Sequence, residues 1–131
     1  MCKTKGVASG LVGAVIARFE GRGFGLRGIK ALRMGRELAA RDDAGHVDKP
    51  CFEGLVAVIA SAPVVAMVWE GREAVTVARA MMGATDSAQA APGTIRGDFS
   101  LSKEENVVHG SDSLESAARE IGLFFDEAEL V

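Results

Sequence analysis

Pro63-Val64-Val65-Ala66-Met67-Val68-Trp69 is apolar throughout and rich in valine. Such a run fits a β-strand buried on both faces, because neither side leaves room for polar residues. Gly71 closes it. On the N-terminal side, Phe52, Leu55, Val56 and Ile59 recur at helical spacing, with Asp48 placed to cap that helix and Pro50 suited to its first turn. Glu37 to Asp43 reads as a short polar helix. Phe24 to Met34 alternates and reads as a strand, bulged at Gly28. Val12, Val15, Ile16 and Phe19 make one face of a helix over Gly10 to Arg22, ended by Gly21 and Gly23.

On the C-terminal side, Val75, Ala78, Met81 and Met82 form another helical stripe. Residues 83 to 106 read as irregular, with Pro92, Gly93 and Gly97 inside, and a loop of that length is usually functional or part of an interface. Asn106 to His109 can form a short strand. Ser113 then caps a helix whose apolar side is Leu114, Ala117, Ala118 and Ile121, and Leu123 to Phe125 forms an edge segment or packed tail. The order is helix, strand, helix, strand, helix, long loop, short strand, helix. It predicts an α+β sandwich, with helices on a small sheet, in one domain over residues 1–131. A fourth strand has room only before Gly6, where few residues stand.

The bulk composition sets limits. At 131 residues, with 48% hydrophobic and 25% charged, the chain can bury one core. A net charge of −3 disfavours nonspecific nucleic-acid binding but leaves room for a local basic pocket. Cys2 and Cys51 show no metal-ligand spacing and read as free thiols of a reducing compartment. No apolar run is long enough for a membrane span, and no signal-peptide core follows the charged start, so a cytoplasmic protein is expected.

Two histidines are present. His46 lies in a polar stretch and reads as a solvated loop residue. His109 stands at a strand end just before a helix N-terminus, where backbone N–H groups and the helix dipole favour an anion. A neutral imidazole is a usable nucleophile, since the reference pKa of histidine is about 6.5. Glu120, on the following helix, can turn back toward the ring and fix its orientation, although a solvated glutamate is the ordinary reading. Arg79 and Arg96 each offer a planar fork suited to phosphate, although most arginines are only surface charges. Trp69, Met81 and Met82 read as packing residues. No Walker loop, dinucleotide fingerprint, zinc site or serine triad is present.

The segments Asn106-Val107-Val108-His109-Gly110-Ser111-Asp112-Ser113 and Ala91-Pro92-Gly93-Thr94-Ile95-Arg96-Gly97-Asp98-Phe99 closely resemble the signature regions of nucleoside diphosphate kinases. Pro63 to Gly71, Gly10-Leu11-Val12-Gly13 and Phe52-Glu53-Gly54-Leu55 resemble the same family, and the similarity runs from about Lys3 to Val131. The resemblance implies a ferredoxin-like sandwich with helices on a small antiparallel sheet, assembled into hexamers or tetramers. It implies ping-pong transfer of the γ-phosphate from a nucleoside triphosphate to a nucleoside diphosphate through a phosphohistidine, with Mg²⁺ travelling on the nucleotide. It makes His109 the nucleophile, Glu120 its orienting partner and Ser111 a support for that pair. Arg79, Thr85 and Arg96 would hold phosphates, Asn106 the ribose and phosphate end, and Lys3 the ribose and the transferred phosphate. Neither a membrane nor a specific nucleic acid is an expected partner.

The sequence also departs from the family pattern. Lys3-Thr4-Lys5-Gly6 replaces Lys-Pro-Asp-Gly, and only Met1 and Cys2 stand where the family has a full central strand, so that strand is expected to be absent or supplied from elsewhere. Asp43 aligns with a tyrosine beside the histidine, Cys51 with the phenylalanine that stacks on the base, and Lys103 with an apolar residue on the base's other side. Loss of a stack costs about 1–3 kcal/mol, or about ten- to a hundredfold in nucleotide Kd. The tail past Glu129 is shorter than is common in the family. A catalytically impaired homologue with a structural or interaction role is therefore the alternative expectation.

Overall fold

The computed structural model describes residues 1–33 and 62–131. Helices expected over Glu37 to Asp43 and from Asp48 to Ile59 lie outside the described residues, as do His46, Asp43 and Cys51.

The described chain begins with α1 (Thr4–Ala8) and α2 (Val12–Arg22). The short α1 is an element that sequence periodicity did not predict. In α2, Val15 and Phe19 of the apolar stripe are buried. Gly23 stops the helix in the left-handed region at φ 108°, where glycine avoids the Cβ penalty, whereas Gly21 lies inside the helix. β1 (Gly25–Leu32) and β2 (Val64–Glu70) pair antiparallel, and their register slips between Leu26 and Gly28, at the expected bulge.

Next come α3 (Ala74–Met82), a 3₁₀ turn (Ser87–Gln89) and α4 (Ile95–Phe99). The stretch expected to be irregular thus holds two short helical pieces, each closed by a side chain. Asp86 accepts from the Ala88 N–H, and Thr94 Oγ1 accepts from the Gly97 N–H at 3.0 Å while donating to the Ala91 carbonyl at 2.6 Å. Finally, α5 (Leu114–Phe124) starts at the expected cap, with Ser113 Oγ accepting from the Ser116 N–H at 3.0 Å.

The sheet's first strand is a stub. The Cys2 N–H donates to the Val65 carbonyl at 2.8 Å, and Val65 returns the bond at 3.0 Å. On the other side, the Met1 ammonium donates to the His109 carbonyl at 2.8 Å, the His109 N–H donates to the Met1 carbonyl at 2.9 Å, and the Lys3 N–H donates to Val107 at 2.8 Å. Cys2 bridges antiparallel to both Val65 and Val108. The spatial order is therefore β1, β2, the Met1–Cys2 stub, then the Val107–His109 segment. That antiparallel order is the ferredoxin-like one. Of the strand expected to be absent or borrowed, the described residues hold only the bridge at Cys2.

Alternation along β2 sends side chains to opposite faces. Val65 joins Val15, Phe19, Met82 and Ile95 on one face, while Val64 and Ala66 join Phe124 and Phe125 on the other. Phe19 stacks on Trp69 with ring centroids 5.4 Å apart. The expectation of burial on both faces holds for Val64 to Ala66, but Met67 to Trp69 are only half-buried. Leu123 and Phe124, expected in an edge segment or packed tail, instead form the last turn of α5 and pack with its C-cap Phe125 against Val64 and Ala66, whereas Leu114, assigned to the apolar side of the helix, is 79% exposed.

Gly97 makes a backbone approach that no other residue allows. A Cβ there would strike the Ala91 carbonyl, which is main chain and cannot swing aside. Gly97→Ala is expected to lower stability by about 3 kcal/mol, read as an earlier midpoint in urea with an unchanged slope.

Candidate active site

His109 enters the site from a constrained stretch of backbone. The preceding Val107 has φ 71°, unfavourable for a β-branched residue, and the Val108 N–H reaches back to the Asn106 carbonyl at 2.8 Å. This tight turn is held in place by Arg96, which is 5% exposed. Its Nε donates to the Asn106 carbonyl at 3.3 Å, Nη1 to Gly83 at 2.9 Å and Nη2 to Val108 at 2.7 Å. One guanidinium thus ties together the end of α3 and both sides of the strained residue. Burial, then the nearby positive charge of Arg79, pushes the Arg96 pKa down to about 10, so it stays charged at neutral pH.

The His109 side chain is 43% exposed, so a ligand can reach it. Its Nε2 lies 2.6 Å from Oε1 of Glu120, and Ser111 Oγ donates to the same oxygen at 3.3 Å. Glu120 is only 12% exposed. Burial raises its pKa, but the hydrogen bond and charge of His109, with Arg119 and Ser111, outweigh that and hold the carboxyl below its ordinary value of 4.5. An ionised carboxylate only accepts, so Nε2 must carry a proton, and the neutral ring then keeps its lone pair on Nδ1.

Arg79 donates to the Gly110 carbonyl at 3.0 Å, beside the histidine. Lys3 Nζ donates to Asn106 Oδ1 at 3.1 Å, and Asn106 Nδ2 donates to the Thr85 carbonyl at 2.8 Å. Lys3, Arg79, Thr85, Arg96, Asn106, His109 and Glu120 are therefore joined through hydrogen bonds among themselves and to the 106–110 backbone; Cys51 lies outside the described residues. Sequence reasoning missed the use of Arg96 as a clamp on three carbonyls, for which no local signal exists. It also missed the Lys3–Asn106 bond, which depends on the stub bringing the chain start alongside Val107.

Fold and cluster together define a class: an α+β protein with an oriented histidine among cationic side chains, a site suited to phosphoryl transfer. Comparison with known proteins gives the family. The family model described as nucleoside diphosphate kinase matches residues 1–130. The chain is 57% identical over 131 residues to a nucleoside diphosphate kinase of Carboxydothermus hydrogenoformans, covering 100% of this chain and 88% of that one. It is 58% identical to one of Pelotomaculum thermopropionicum, with the same coverage. Among solved structures, a halophilic nucleoside diphosphate kinase from Halobacterium salinarum in complex with CDP superposes with a TM-score of 0.96 at 49% identity, covering 99% of this chain and 87% of that one. A family member from Babesia bovis gives 0.96 at 42% identity, covering 99% and 88%. The chain belongs to the nucleoside diphosphate kinase family. It is a phosphotransferase that moves phosphate between nucleotides.

Proposed function

We propose that the transfer runs in two half-reactions through His109. The Nδ1 lone pair attacks the γ-phosphorus of a bound nucleoside triphosphate, the bond from that phosphorus to the β,γ-bridging oxygen breaks, and the diphosphate leaves. A terminal phosphate oxygen of a second nucleoside diphosphate then attacks the phosphorus, the N–P bond breaks, and the imidazole is restored. The observation that carries this reading is the 2.6 Å contact from Nε2 to Glu120, which selects Nδ1 as the free nitrogen and opposes the positive charge that develops on the ring. Phosphoryl transfer needs little more than in-line positioning and neutralisation of the phosphate oxygens.

Arg79 and Lys3 supply positive charge at the two ends of the cluster. Arg96 has five N–H donors and uses three on carbonyls, so two remain for phosphate. Asn106 and Thr85 position the ribose and phosphate end. Among the described residues no group of three His, Cys, Asp or Glu side chains is arranged to hold a metal. Mg²⁺ would travel on the phosphate oxygens of the nucleotide, as the family resemblance implies. We place the enzyme in the cytoplasm as a hexamer or tetramer, as the family resemblance implies. No helix among the described residues is long and apolar enough to cross a membrane.

Incubation with γ-labelled ATP should give acid-labile, base-stable phosphate on His109, and NMR of the phosphoprotein should place it on Nδ1. Phosphate on Nε2, or no label at all, would overturn the proposal. Glu120→Gln keeps the shape but loses the charge, and should lower kcat about 10- to 100-fold. It should also change the acid limb of stability. A carboxyl whose folded pKa is depressed contributes stability above its unfolded value, near 4.5, and loses it as pH falls through the lower folded value. The difference in stability between wild type and Glu120→Gln should accordingly shrink below about pH 4, as followed by denaturant titrations across that range.

A further inference from the structure

Arg96 is gripped from inside by its three carbonyls, but the helix that carries it is short. α4 has five residues, and a single helical turn does not hold itself in place. Its outer side is tied to α2 by a closed ring of hydrogen bonds. Arg18 Nη2 donates to Asp98 Oδ2 at 2.6 Å, and Arg18 Nη1 donates to the Gly93 carbonyl at 3.1 Å. The Gly93 N–H donates to Asp98 Oδ1 at 2.8 Å, which closes the ring. The Arg18 guanidinium also lies over the Phe99 ring, 4.9 Å from its centroid. Arg18 thus meets residues on both sides of Arg96 in the chain: Gly93 just before α4, and Asp98 and Phe99 at its end. It reaches them from a fixed post, because its α2 neighbours Val15 and Phe19 are buried in the core. The Gly93 N–H, then Arg18, hold the Asp98 carboxyl below its ordinary value of 3.8, so the pair is charged at neutral pH.

We propose that Arg18 and Asp98 are positioning residues for phosphoryl transfer, an outer brace that fixes α4 and, through it, the direction of the Arg96 fork. The proposal rests on the reading of Arg96 as a phosphate ligand. Three of its N–H groups are used on carbonyls, one from each nitrogen, which leaves one on each terminal nitrogen for phosphate. Where those two point depends on where the arginine stem begins, and the stem begins on α4. A misplacement of about 1 Å can cost about a hundredfold in rate. Folding stability does not account for the brace. The Arg18 and Asp98 side chains are 31% and 30% exposed, and ion pairs in such settings add little to stability. A planar fork that meets two oxygens while its face lies on a ring sets an orientation, which a lysine ammonium cannot do.

The test is steady-state kinetics on the full 131-residue chain, with ATP as donor and a nucleoside diphosphate as acceptor, read beside Tm. Assays run well below the Tm of the least stable variant. Arg18→Gln should lower kcat/KM about tenfold, with kcat carrying most of the loss, while Tm falls by only about 3 °C. Asp98→Asn should act alike, and the double variant should be no worse than either single one, since both open the same ring. Arg18→Lys keeps the charge without the fork, so it should hold Tm within about 2 °C of wild type and still lose about threefold in kcat/KM. This milder variant carries the same comparison if glutamine unfolds the chain. In an Arg96→Met background, adding Arg18→Gln should lower kcat/KM by less than about twofold, because the fork it directs is gone. Unchanged kcat/KM in the Arg18 variants, whatever happens to Tm, overturns the brace and leaves the phosphate role of Arg96 standing. So does an equal loss with and without Arg96, which would give Arg18 an effect of its own. Unchanged kcat/KM in Arg96→Met overturns the phosphate role itself, and the brace with it.

Discussion

His109→Ala should abolish turnover while leaving the fold intact. Removing a covalent nucleophile costs about five orders of magnitude in kcat where no other group takes its place. Among the described residues the ring is hydrogen-bonded to Glu120, and it is 43% exposed, so little packing is lost with it. The pairing that holds this segment in the sheet runs through the main chain of His109, which alanine preserves. The variant should therefore show a Tm within a few degrees of wild type, no labelled phosphoenzyme from γ-labelled ATP, and unchanged nucleotide binding within about threefold, since the proposed phosphate contacts lie on Arg79, Arg96 and Lys3. Retention of even a tenth of wild-type turnover would mean that another group is the acceptor. A collapse of Tm alongside the activity would assign His109 a structural role that its exposure argues against.

The parts of this arrangement visible in the sequence are those carried by local chemistry. Valine-rich Pro63 to Trp69 announced a buried strand, the Ser113 cap announced α5, and Gly28 marked the bulge, because each rests on residues close together in the chain. The single-turn helices were not legible. Thr4–Ala8 and Ile95–Phe99 have five residues each, too few for a period to repeat. The stub was not legible either, since two residues become a strand only through partners far along the chain at Val65 and His109. In the site, His109 stood out through its setting before a helix start, and Glu120 only through helical phase and resemblance. The role of Arg96 was open: its sequence surroundings are compatible with a surface charge or a phosphate ligand, and its hold on three carbonyls appears only in the structure.

That clamp makes Arg96 the position where the largest loss of stability is expected. Arg96→Met keeps most of the volume and the aliphatic stem but removes every donor. The carbonyls of Gly83, Asn106 and Val108 are then left without their partner in a region where Val107 and Val108 are fully buried or nearly so. A buried acceptor stripped of its partner costs about 1–3 kcal/mol, and three in one network do not add fully. Burial of the guanidinium works in the opposite direction: its lowered pKa shows that the folded state holds this charge at a disadvantage, which methionine relieves. The balance should be a net loss of about 3–4 kcal/mol, a large part of the 5–15 kcal/mol typical of a folded domain, and a Tm lower by about 10–15 °C. The strained Val107 turn also loses its restraint, so kcat measured well below the new Tm should fall at least tenfold, beyond what the loss of one phosphate contact does to KM. Arg96→Lys separates charge from geometry. Its ammonium keeps the positive charge but cannot span three carbonyls with a planar fork, so it should restore phosphate affinity more than stability. Full recovery of both by lysine would show that charge alone, and not the fork across Gly83, Asn106 and Val108, is what this buried arginine contributes.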